Sequence, residues 1–133
     1  FHGDPAVGVA MIEAALRRSL RDPARGSFLA ALGFGQFTRR NYAAAAEAAQ
    51  TALAESAGSA TPLILLAISA VGMGQIDRAR DAYARVAAMA PALVEARLAG
   101  RWLSSTPDYL ARTHMFFRIA AGLAPPDAAD ALR

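Results

Sequence analysis

Hydrophobic positions recur along this chain at three- and four-residue spacing, the pattern of helices that turn one face inward. No segment alternates with period two between turn residues, so the pattern predicts helices and no sheet. A longer period lies over the short one. Displaced by 34 residues, Leu29 falls on Leu63, Leu32 on Leu66 and Gly33 on Ala67. Tyr42 falls on Ile76, Ala45 on Ala79, Ala49 on Tyr83 and Ala52 on Val86. Pro23, Pro91 and Pro125 keep the same beat, with Ala57 in the remaining place. A period in this range is the signature of stacked supersecondary units, none of which buries its apolar face alone.

Each unit reads as two helices. Pro5 to Leu20 has the pattern of a lone second helix whose partner would lie upstream of Phe1. Next come Ser27 or Phe28 to about Phe37 and Tyr42 to about Glu55, with Gly58 as terminator. Thr61 is read as an N-cap with Pro62 at the first helical position, in a helix running to about Met73 and ended by Gly74. Asp77 to about Met89 follows, and Pro91 is read as closing the unit. Two further helices are predicted, about Leu93–Leu103 and one opened by Thr106–Pro107 that runs to about Leu123, then a turn over Asp127–Leu132. The expectation is one all-α domain of about seven helices, divided at 5–25, 26–59, 60–93 and 94–133.

The residues that carry the repeat resemble tetratricopeptide (TPR) units. They are Leu32–Gly33, Asn41–Tyr42, Ala45, Ala52–Leu53, Leu66–Ala67, Gly74, Ile76, Ala79, Tyr83 and Pro91. The resemblance covers Pro5 to about Pro125 and implies a right-handed superhelix of antiparallel hairpins, in which first helices form an inner wall. There are departures. Arg40 stands where a glycine is common, Ala57 replaces the closing proline, and Gln36 sits in an aromatic slot with Phe37 one step away. Gly100 and Arg101 interrupt the last unit, as expected of a solenoid end that must solubilise one face. The run Leu20–Pro23 and the closing Gly122–Pro125 are similar to the C-terminal TPR region of bacterial nucleotidyl cyclases and related regulators.

Composition narrows the chemistry. With no cysteine, disulfides, thiol catalysis and cysteine-based zinc sites are excluded, and the only histidines are His2 and His114. His114 has no histidine or carboxylate three or four residues away, so neither a metal set nor a catalytic triad can be assembled around it. Gly33-Phe34-Gly35 and Gly72-Met73-Gly74 lack the preceding strand of a phosphate loop and read as packing and turn positions. No metal, cofactor or catalytic residue is expected. Alanine fills 35 of 133 positions, suiting closely packed helices. The longest apolar run, Pro62 to Met73, is shorter than the ~18–20 residues of a membrane span. The chain begins at Phe1 without a signal-peptide pattern and reads as a piece of a longer, cytoplasmic protein.

All 14 basic residues are arginine, for a net charge of +3. Arg17, Arg18, Arg21 and Arg25 cluster near one helix end, with Arg39 and Arg40 in the next turn. Such placement complements helix dipoles and solubilises an alanine-rich chain. A basic helical domain touching nucleic acid in an attached transcriptional regulator is the alternative reading. What the resemblance implies about the inner wall is more specific. It would carry Phe34, Phe37, Ile64, Ile68, Val71, Leu98 and Trp102, with Arg39 and Arg40 at its rim. Lysine is absent and Asn41 is the only asparagine, unlike family members that clamp a terminal carboxylate with those residues. An apolar wall either receives a protein or peptide segment or is covered by the larger chain, a second copy or the chain's own terminal helix; cover is favoured. The expected function is a non-catalytic protein–protein interaction or scaffold module, the C-terminal regulatory part of a larger bacterial signalling protein.

Overall fold

The computed structural model describes residues 8–12, 25–56, 58–102 and 106–133. Residues 8–12 are helical. Six longer helices follow: α1 (Arg25–Thr38), α2 (Tyr42–Glu55), α3 (Ala60–Gly72), α4 (Ile76–Met89), α5 (Pro91–Leu98) and α6 (Pro107–Ala120). A 3-10 turn at Pro126–Ala129 completes the order, and no strand occurs among the described residues. Apart from 8–12, the helix expected over Pro5–Leu20 lies outside the described residues, as do His2 and the side chains of Arg17, Arg18, Arg21 and Arg25.

The 34-residue beat of the sequence is a beat of the backbone between α1–α2 and α3–α4. Helix α4 starts 34 residues after α2, at Ile76 against Tyr42. The residues before them, Asn41 and Gln75, share φ −90° and ψ 72°. One step earlier Arg40 and Gly74 are left-handed, at φ 64° and 75°. Each turn closes with the same two bonds: Asn41 and Gln75 N–H donate to Gln36 and Ala70 C=O at 2.8 Å, and Arg40 and Gly74 N–H donate to Phe37 and Val71 C=O at 2.9 Å. This closure satisfies carbonyls that a helix end leaves without intrahelical donors.

Several boundaries differ from the sequence reading. Helix α3 begins at Ala60 after Ser59, so Thr61 is not its cap; Pro62 sits within the first turn, where its missing N–H costs no hydrogen bond. Pro91 opens α5 rather than closing α4, because Pro at the first helical position has a suitable φ already fixed. Helix α5 stops at Leu98, since Gly100 turns left-handed (φ 87°) and Arg101 N–H returns to Ala96 C=O at 3.0 Å. Gly122 (φ 77°) ends α6 likewise, at Ala120 instead of Leu123.

The core is organised around α3, the longest apolar run of the sequence. Every residue from Pro62 to Gly72 is buried, and α3 contacts α1, α2, α4, α6 and the terminal turn. Small residues set how closely the helices approach. A Cβ on Gly33 would meet the Leu65 side chain and lie 3.2 Å from Ala48 Cβ, while one on Gly72 would enter the Tyr42 ring, 2.7 Å from Cδ1. On the far side of α1, Leu29 and Ala52 form a smaller cluster with Ile12, Phe28 and Leu32. Among the described residues no helix is long and apolar enough to cross a membrane.

Helix α6 leaves the register of the earlier units and lies against α3 and α4. Two adjacent phenylalanines seat it. Phe116 meets Phe37 and Tyr42 edge-on, with centroids 5.9 and 5.8 Å apart. Phe117 meets Tyr83 at 5.4 Å and Trp102 at 5.7 Å in the same manner. Aromatic edges are favoured against aromatic faces by the ring quadrupole, so the pair fixes both the depth and the rotation of α6.

Candidate functional site

An apolar face on α6 carries one charged residue. Arg112 lies between Tyr109 and Phe116 in the stripe, and its side chain is 1% exposed. Burying a guanidinium is costly unless its donors are used, and here they are. Nη1 donates to Phe37 C=O at 2.8 Å and to the Tyr42 hydroxyl at 3.4 Å, and Nη2 donates to Thr38 C=O at 3.0 Å. Nε donates to Asp108 Oδ2 at 3.2 Å, and the guanidinium stands over the Phe37 ring, 5.2 Å from its centroid. Phe37 and Thr38 are the last two residues of α1. Arg112 is therefore a side-chain cap delivered from 75 residues away, placing positive charge where the α1 dipole is negative.

The same device recurs one repeat later. Val71 is the counterpart of Phe37, and its carbonyl accepts from Arg133 Nη2 at 3.1 Å; Arg133 is itself paired to Asp130. Thus α6 and the terminal segment each send one arginine to the end of an earlier first helix.

Between the C-terminal half of α1 and the start of α6 an open cleft of about 340 Å³ remains, lined by Phe34, Gly35, Thr38, Thr106, Asp108, Tyr109 and Arg112. That is near the lower end of ligand pockets, ~300–1,000 Å³, and suits one or two side chains rather than an enclosed cofactor. Arg112 forms part of the floor. Asp108 is 55% exposed and bridges Arg112 (3.1 Å) to Arg40 (3.2 Å), which is 46% exposed at the rim. Burial pushes the Tyr109 phenol above its ordinary pKa of 10.0, against the opposing pull of Arg97 and Arg112.

Arg40 is held there at a cost. Left-handed backbone at an L-residue is unfavourable by ~1–2 kcal/mol. The other three described helix ends with this turn use glycine, at positions 74, 100 and 122. The Arg40–Asp108 pair is exposed on both sides and contributes ~0–1 kcal/mol. The pair does not offset the backbone term with any margin.

The expected inner-wall residues separate into two groups. Phe37, Ile64, Ile68 and Val71 are no more than 3% exposed. The wall they form is not an open groove, because α6 covers it from within the same chain. Phe34, Leu98 and Trp102 remain half-buried, and Arg39 and Arg40 are exposed. Trp102 lies beyond the end of α5 rather than on a first helix, and its indole N–H donates to Arg97 C=O at 3.1 Å, with the Arg97 guanidinium 5.3 Å from the ring centroid. Of the expected site residues only Phe34 lines the cleft; Arg40 reaches it through its pair with Asp108, with Arg39 next to Arg40 in the chain. Asp108, Tyr109 and Arg112 were not anticipated. The available signal was an arginine inside an apolar helical stripe, four residues after an aspartate and four before a phenylalanine.

The chain matches no family model, no curated protein and no solved structure. What the cleft can do is limited by its groups. Among the described residues it offers aromatic surface, two threonines, one carboxylate and guanidinium groups. Among the described residues no group of three or more His, Asp or Glu side chains could hold a metal ion. His114 Nε2 lies 3.0 Å from the Leu98 carbonyl, which it can approach only as a donor; the ring serves the end of α5.

Proposed function

We propose that this chain is a protein–protein interaction or scaffold module without catalysis of its own, built as a TPR-like right-handed superhelix. We take it to be the C-terminal regulatory part of a larger bacterial, cytoplasmic signalling protein. The observation that carries the reading is the 34-residue recurrence of a helical hairpin with matching turn geometry at Arg40–Asn41 and Gly74–Gln75. Stacked hairpins of that kind give a rigid extended frame whose rims present side chains in fixed positions. Partner contact falls to exposed groups, since the apolar wall is occupied by α6.

The test uses the absence of cysteine. The chain is immobilised through one cysteine placed at Ala84, which is exposed on α4, and proteins retained from a bacterial extract are purified and titrated back by calorimetry. The expected result is a saturable complex of fixed stoichiometry with a protein. Retention of nucleic acid alone, weakening steeply with salt, would replace this reading with that of a basic domain in a transcriptional regulator.

A further inference from the structure

Two independent features meet at one place: a left-handed arginine where the other such turns among the described residues use glycine, and an open cleft whose Asp108 this arginine pairs with. Resting on the interaction reading above, we propose that the α1–α6 cleft is a docking point for an acidic segment of a partner protein. One apolar side chain of that segment enters over Phe34 and Tyr109, and an adjacent carboxylate pairs with Arg40.

The charges favour this occupant. Among the described residues the cleft lining holds one cation, Arg112, and one carboxylate, Asp108; Arg40 adds a second cation through its pair with Asp108, and Arg39 is exposed beside Arg40. Asp108 is anchored by the buried Arg112, so Arg40 can exchange it for an incoming carboxylate without stranding either group. The exchange replaces one exposed ion pair by another, while the apolar contact with Phe34 and Tyr109 is new and supplies the gain. A nucleic-acid strand fits less well. It needs a run of cations along its backbone, whereas this site is a short recess with a carboxylate in its wall.

The decisive variant is Arg40→Gly, because it divides stability from binding. Glycine relieves the left-handed backbone, so the melting temperature should rise by about 2–4 °C. The experiment titrates the isotopically labelled full chain with the capped pentapeptide Glu-Asp-Leu-Asp-Glu and follows backbone amide shifts. Controls are Lys-Lys-Leu-Lys-Lys, Glu-Asp-Gly-Asp-Glu and a ten-nucleotide oligothymidylate. Shifts should centre on Gly35, Arg40, Asp108 and Tyr109 for the acidic leucine peptide, and affinity should fall at least fivefold in Arg40→Gly. The glycine-containing peptide should bind several-fold more weakly than its leucine counterpart. Unchanged peptide affinity in Arg40→Gly, or no saturable shift at all, overturns the proposal. So does an oligothymidylate that shifts these amides when the peptide does not. Peptide shifts centred elsewhere overturn the cleft and leave the broader interaction reading standing.

Discussion

Replacing Arg112 tests whether the buried guanidinium acts mainly as a helix cap or mainly as one half of an ion pair. Its carbonyl partners, Phe37 and Thr38, end α1, whereas its carboxylate partner Asp108 is 55% exposed. Arg112→Ala removes charge-assisted bonds to the buried Phe37 carbonyl and the part-buried Thr38 carbonyl and leaves a cavity beneath α6. Breaking buried charged contacts of this kind costs ~3–5 kcal/mol, of the same order as a large core truncation. Asp108→Ala removes an acceptor already solvated and should cost under ~1 kcal/mol, because the C-terminal dipole of α1 still compensates the guanidinium. Arg112→Met fills most of the volume and isolates the capping loss, which should lie between the two at ~2–3 kcal/mol. Urea unfolding followed by circular dichroism gives all three values if the slopes agree. Equal losses for Asp108→Ala and Arg112→Ala would refute the capping account. The counter-ion, and not the helix end, would then be what holds Arg112 inside.

Three further outcomes follow from the packing. Gly72→Ala should destabilise by ~1–3 kcal/mol through a clash with the Tyr42 ring, whereas Gly35→Ala, whose nearest neighbour is Val9 Cγ2 at 4.0 Å, should stabilise by ~0.5–1 kcal/mol through helix propensity; thermal melts of both variants decide. Ala79→Leu, at a fully buried position, should cost ~1–3 kcal/mol and the exposed Ala84→Leu under ~0.5 kcal/mol, so equal melting shifts would contradict the observed helix faces. Folding favours the neutral Tyr109 phenol, so its stabilisation is complete below pH 10.0 and is lost as pH rises through the higher folded pKa; Tyr109→Phe should flatten that alkaline limb in urea titrations from pH 9 to 12.

How much of this was legible in the sequence depended on whether the determinant was periodic. Helix α2 starts and ends where the pattern placed it, at Tyr42 and Glu55, and α4 differs by one residue at its start. In both, small and large residues recur every 34 positions at the contacts, and that regularity is visible in one dimension. Helix α5 was overextended because the apolar spacing continues past Leu98, while a single backbone torsion at Gly100 breaks the helix. Pro91 opens a helix where the sequence reading has it close one, because proline is compatible with both a helix start and the end of a preceding one. Arg112 is not legible in the sequence for a different reason. Its carbonyl partners lie more than 70 residues away, and charge alone does not distinguish a buried cap from a solvated arginine.

Energy favours the rim over the wall as the proposed interaction site. Phe116, Phe117 and Ile119 are all 0% exposed in the face that α6 lays on the wall. Burial of such side chains contributes ~1.5–3 kcal/mol each, so lifting α6 costs on the order of 6 kcal/mol before the Arg112 cap is counted. A population penalty of that size weakens any ligand of the bare wall by about four orders of magnitude, since each 1.4 kcal/mol is tenfold. A ligand of micromolar intrinsic affinity would then bind at ~10 mM. The rim cleft carries no such penalty, because Phe34, Tyr109 and Arg40 are accessible with α6 in place. The apolar residues that first suggest a groove are thus spent on closing the fold. On the reading proposed above, recognition falls to the few side chains at its edge, among them Arg40, left-handed where the other such turns of the described residues use glycine.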